Sequence, residues 1–108
     1  MELLKKTITA LATRYAPEYI DVRRHLHARP EISYQEYETS RYVQQHLQHL
    51  GISYQTMADT GVVGIIEGKN ASARIVALRA DMDALPIEEM NDVPYKSTKP
   101  GLMHACGH

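Results

Sequence analysis

The chain has 108 residues, 44% hydrophobic and 23% charged, with 12 basic against 13 acidic residues and a formal charge of −1. This balance fits a globular domain rather than a disordered chain, and it lacks the basic excess of a nucleic-acid surface. No stretch approaches the roughly 18 apolar residues of a membrane span, and a single cysteine excludes an internal disulfide. The opening "MELLKKTITALATRYA" spaces its apolar residues and has no apolar h-region after the Lys pair. A reducing, cytoplasmic location is therefore expected, with no membrane or nucleic-acid partner.

Leu4, Ile8, Leu11 and Tyr15 follow the spacing of one helix face. Pro17 then either kinks that helix or opens the next one at its first turn. Tyr19, Val22 and Leu26 mark a second helical segment, and Pro30 predicts its end near Ala28. "SYQE", Ser33 to Glu36, has the form of a capping box. It predicts a helix from about Tyr34 to Leu50, with Gly51 as a left-handed C-terminal cap. The period then changes. "ISYQTM" reads as a strand over Ile52 to Met57, "VVGIIEG" as a second and "ARIVALRA" as a third ending near Ala80. The second and third are expected to pair as a hairpin across "GKNAS". Their nearly continuous apolar runs call for cover on both faces.

From Asp81 onward, Pro86, Asn91, Pro94, Pro100 and Gly101 predict a long ordered loop. The order of elements is that of an α/β protein: a partial layered domain over residues 1–108, with amino-terminal helices followed by strands of a mixed sheet. No helix follows the third strand, so an exposed apolar surface or self-association is expected.

Two segments could carry chemistry. In "RADMDALP", Asp81 and Asp83 follow an apolar strand, where ligand sites of α/β sheets gather. Two residues apart in extended chain, they share a face. Their mutual repulsion would be relieved by a cation or a proton; capping a turn is the ordinary alternative. In "HACGH", the side chains of His104, Cys106 and His108 would project to one side of an extended chain. Thiolate and imidazole suit Zn²⁺ or a similar metal. A plain tail, or a thiolate nucleophile paired with His, are the alternatives, and no orienting group or oxyanion hole is marked for the latter. His25, His27, His46 and His49 read as solvated helix histidines, with a surface metal pair at His46 and His49, three residues apart, as the alternative.

Three segments in order, "RRHLHARPEISYQEYET", "LRADMDALPIEE" and "PGLMHACGH", closely resemble the amino-terminal part of the dinuclear metallo-amidohydrolases. The branch includes hippurate hydrolase, N-acetyl-diaminopimelate deacetylase and the hydrolases of auxin–amino-acid conjugates. The resemblance implies an incomplete zinc-peptidase-like catalytic domain. It implies two divalent metal ions, Zn or Mn, bound by Cys106 and His108 with the Cys bridging. It further implies that Asp83 orients a ligand from behind, and it does not carry His104 over as a ligand. The implied reaction is hydrolysis of an N-acyl amino acid by a metal-activated water, with a glutamate as general base.

The family's general base, its remaining ligands and its second, smaller domain, used in dimerisation and substrate binding, lie in a longer chain and have no counterpart in these residues. A catalytic zinc normally takes three protein ligands. The expectation is therefore an amino-terminal fragment of such an enzyme, with negligible activity alone. The competing expectations are a non-catalytic partial domain that binds only metal or a partner, and a site completed by another chain in an oligomer.

Overall fold

The computed structural model describes residues 1–70, 72 and 74–107. Two helices precede a hairpin: α1 spans Glu2–Ala28, α2 Tyr37–His49, β1 Ser53–Met57 and β2 Gly61–Ile65. This is the expected α/β class. The two predicted amino-terminal segments are one continuous helix with Pro17 inside it. Proline removes one amide from the ladder, and the helix runs through that loss. The first turns of α1 leave Leu3, Leu4 and Ile8 exposed, whereas near its end Val22 and Leu26 are half-buried and His27 is buried. Thr98 closes that end, its N–H and hydroxyl both donating to the Ala28 carbonyl at 2.9 and 2.7 Å. The helix thereby gains a partner for one of its orphan carbonyls. No helix among the described residues is long and apolar enough to cross a membrane.

The capping box is not used. Helix α2 starts at Tyr37, and neither Ser33 nor Glu36 caps it with a side chain. Instead the Glu31 carboxylate accepts from the Glu38 and Thr39 amides, at 3.2 and 2.6 Å, and from the Thr39 hydroxyl at 2.7 Å. An anion at a helix amino terminus satisfies free amides and meets the positive end of the dipole. Those hydrogen bonds lower the Glu31 pKa against the opposing effect of burial. Tyr34, at φ 65°, turns the chain between Ser33 and the helix. The other end behaves as predicted. Gly51 is left-handed at φ 69°, Ile52 N–H reaches the Leu47 carbonyl and Gly51 N–H the Gln48 carbonyl, which is a Schellman closure.

The strands differ from expectation in their pairing. β2 pairs antiparallel with β1, from Met57↔Gly61 to Ser53↔Ile65, across a turn in which Ala58 and Asp59 have φ 51° and 67°. Positive φ at successive turn residues matches the right-handed twist of a hairpin. The predicted third strand does not form: residues 74–80 are not in a strand, and Ile75, Val76 and Leu78 are 94%, 83% and 98% exposed. Ala71 and Ala73, in the predicted turn and at the strand's start, lie outside the described residues. A run suited to burial on both faces has no covering element among the described residues, so its apolar pattern alone does not make a ladder.

Buried positions are mostly polar. Ala84 is the buried apolar residue, joined by Pro30, whereas His27, Glu31, Glu36, Thr39, Ser40, Thr60 and Glu89 are all below a tenth exposed. The carboxylates are hydrogen-bonded, as burial requires. Glu36 accepts from the Thr60 hydroxyl at 2.8 Å, tying the start of α2 to the hairpin. From Asp81 onward the chain is the predicted loop. It is ordered by isolated bridges, Ile32 with Ala84 in parallel and Leu85 with Met103 antiparallel.

Candidate metal centre

The bridge between Ile32 and Ala84 brings the "PEIS" and "DMD" segments together, with Ala84 N–H donating to the Glu31 carbonyl at 2.7 Å. Beside it, the Ser33 hydroxyl donates to Asp83 Oδ2 at 2.6 Å. The bridge from Leu85 to Met103 then lays the "MHACG" segment along the other side. Main-chain pairing thus carries "DMD" and "HAC" to one place, although 20 or more residues of sequence separate them. Asp81, Asp83, Leu85, His104 and Cys106 line a single cavity of about 160 Å³.

The donors sit differently within it. Asp81 pairs with the Arg79 guanidinium at 2.6 Å. Cys106 is a free, exposed thiol. His104 is half-buried, and its Nε2 is buried with no hydrogen-bond partner among the described residues. Burial first, then the nearby His27 ring, hold the His104 pKa below its ordinary value, against the pull of Asp83. His108 lies outside the described residues.

Behind His104 stands a second polar cluster. His27 Nε2 donates to both oxygens of Glu89, at 2.9 and 3.1 Å. Glu89 also accepts from the Ser97 amide at 2.8 Å and from Asn91 Nδ2 at 3.2 Å. The Ser97 amide, then His27 and Asn91, bring the Glu89 carboxyl down to about 2 despite its burial. The His27 ring lies edge-on to Tyr95, with centroids 5.7 Å apart, and 6.4 Å from that of His104. The expectation of a solvated His27 is thus corrected: loop 89–97 wraps the ring because Glu89 needs its proton donor. His25 and His46 are half-buried against Tyr42, with His25 stacked at 4.1 Å.

The donor set of carboxylates, thiol and imidazole fits a divalent ion of borderline softness, and a buried imidazole nitrogen without a partner suits a polar or metal-bearing site. Among the described residues, no three His, Cys, Asp or Glu side chains converge on one ion. Sequence reasoning singles out Asp81, Asp83 and Cys106 in two separate segments, and the structure sets them around one cavity. That reasoning missed Ser33, read as a helix cap, and the His27–Glu89 pair. The composition of "PIEEMNDVPY" marks a loop but not which carboxylate turns inward.

Residues 77–108 match the model of Peptidase family M20/M25/M40. The chain is 50% identical over 99 residues to a protein of Synechocystis sp. named "Probable hydrolase", covering 91% of this chain and 25% of that protein. It is also 50% identical over 86 residues to an uncharacterized hydrolase of Staphylococcus haemolyticus, covering 80% of this chain and 22% of that one. The chain therefore spans about a quarter of the length of these relatives. Its fold matches part of the Bacillus subtilis YXEP protein, a dinuclear metal-binding peptidase from the M20 family. That match has a TM-score of 0.82 and 38% identity over 88% of this chain and 27% of that one.

Proposed function

We propose that the chain is the amino-terminal, metal-holding part of an M20-type amidohydrolase that cleaves N-acyl amino acids with two Zn²⁺ or Mn²⁺ ions. The observation that carries this reading is the cavity where Asp81, Asp83, His104 and Cys106 meet. Cys106 and His108 would hold the metal, with Asp83 orienting a ligand. Bound there, the metal would supply a polarised amide carbonyl and a water made acidic near neutral pH. The chain's own residues keep the donors in place: Ser33 holds the Asp83 carboxylate, and His104 lines the same cavity as Asp83. Glu89 fixes His27, whose ring lies near that of His104. No general base is assigned among these residues, so the complete reaction belongs to a longer chain.

Two measurements test this. Calorimetric titration with Zn²⁺ or Mn²⁺ should show binding that Cys106→Ala and His108→Ala each abolish. Hydrolysis of N-acetyl- and N-benzoyl-amino acids by the chain alone should be negligible. Turnover that survives purification and is lost in Cys106→Ala would overturn the second expectation. A second reading, a partial domain without catalysis, is favoured by the lack of three converging ligands among the described residues. Absence of metal binding would support it over the first.

A further inference from the structure

We propose that Ser33 is a positioning residue of the metal centre, acting through Asp83. The inference rests on the metal reading above. The Ser33 hydroxyl donates to Asp83 Oδ2 at 2.6 Å across 50 residues of sequence. That is the length of a charge-assisted O–H···O⁻ bond, roughly twice as strong as a neutral one. Among the described residues, the hydroxyl has no other hydrogen-bond partner. It does not cap α2, whose first amides are taken by Glu31.

The main chain on both sides is fixed, which turns the contact into a registered one. Ala84 N–H is bound to the Glu31 carbonyl at 2.7 Å, and Ile32 is bridged to Ala84. Glu31 is in turn anchored on the amino terminus of α2. Immediately after Ser33, Tyr34 takes the left-handed conformation at φ 65°, uncommon for a bulky residue and often found at functional positions. The turn swings the chain away and leaves the Ser33 side chain on Asp83. The terminal torsion of an aspartate is broad and only weakly two-fold. A donor on Oδ2 biases the carboxylate plane, alongside a further interaction that Asp83 makes, at the cavity it lines with Cys106. Removing the hydroxyl would loosen that torsion and lower affinity for a divalent ion.

Co²⁺ titration of the chain tests this, followed by thiolate-to-cobalt charge-transfer absorption. Ser33→Val and Ser33→Thr have the same shape and differ only in the hydroxyl, so an effect of packing moves both. Ser33→Thr should bind like the wild type. Ser33→Ala and Ser33→Val should bind about tenfold more weakly, the lower end of the range for groups that orient ligands. In an Asp83→Ala background, which has no side-chain acceptor, Ser33→Val should add nothing further. Equal binding by the Thr and Val variants, or an undiminished Val effect beside Asp83→Ala, overturns the role of Ser33. If the wild type itself gives no thiolate band, the metal reading falls and this inference falls with it. A normal wild-type band that Ser33→Val leaves unchanged removes the inference alone.

Discussion

Residues 74–80 and 81–107 follow one another without a helix or an extended strand in either, yet they are held in opposite ways. The first stretch is apolar and open, with Leu78 98% exposed. The second is rich in proline and polar residues, and it is clamped at many points. Ala84 binds the Glu31 carbonyl, Leu85 and Met103 bind each other, and Thr98 binds the end of α1. The Glu88 carboxylate accepts from the Gly101 amide, and Glu89 gathers His27, Asn91 and Ser97. In this chain, order at the candidate site comes from carboxylates that find donors, and apolar sequence without a partner gives none. A buried carboxylate is costly unless fully bonded, so each clamp has a definite geometry.

The strongest clamp is the place to break the contrast. Glu89→Ala removes the acceptor of three donors and leaves the part-buried Ser97 amide and the buried His27 ring without it. It should cause the largest loss of stability of any single change in the loop, with exchange protection lost at Ser97. Acid should act on the same group. Its folded pKa, about 2, lies below the ordinary 4.5. The unfolded chain therefore binds the proton first, and stability is present above about 4.5 and lost as pH falls toward 2. Glu31, also lowered, adds to this loss. Chemical unfolding at stepped pH should show a steep decline in that window, flattened in Glu89→Gln. A slope unchanged in that variant would place the acid sensitivity elsewhere.

Smaller effects should come from single contacts. Thr60→Val deletes the donor to buried Glu36 and should cost about 1.5–3 kcal/mol, the range for a hydrogen bond to a charged group. Gly51→Ala places a Cβ at φ 69°, with no atom within 4 Å to obstruct it. Its cost is thus conformational alone, about 1–2 kcal/mol. Urea denaturation of both variants gives the ranking directly, and a Gly51→Ala loss exceeding that of Thr60→Val would reverse it.

The same contrast explains what could be read from the sequence. Gly51, the body of α2 and β1 were legible because local propensity and a local cap determine them. Asp83 and Cys106 were legible as candidates because their spacing is unusual. Ser33 was misread because a serine three residues before a glutamate satisfies a local rule, while its hydroxyl is bound by an aspartate 50 residues away. Glu89 and His27, 62 apart, carry no local pattern at all. The run at 74–80 was misread for the converse reason. Its pattern is that of a strand, but pairing is a property of two segments, and the hairpin gives β2 to β1.

The smallest expected effect is therefore the most direct check on the open stretch. Val76→Lys and Leu78→Lys put charges into a run that would be intolerant of them if it were a buried strand, where an unpaired charge costs several kcal/mol. At 83% and 98% exposure each side chain already meets water, and each change should fall within about 0.5 kcal/mol of the wild type, as at ordinary surface positions. Equilibrium urea unfolding, with the slope compared as well as the midpoint, separates the two cases. A loss of several kcal/mol for either lysine would show that residues 74–80 are covered in solution, and the contrast with the clamped loop would then be one of different cover rather than of cover against none.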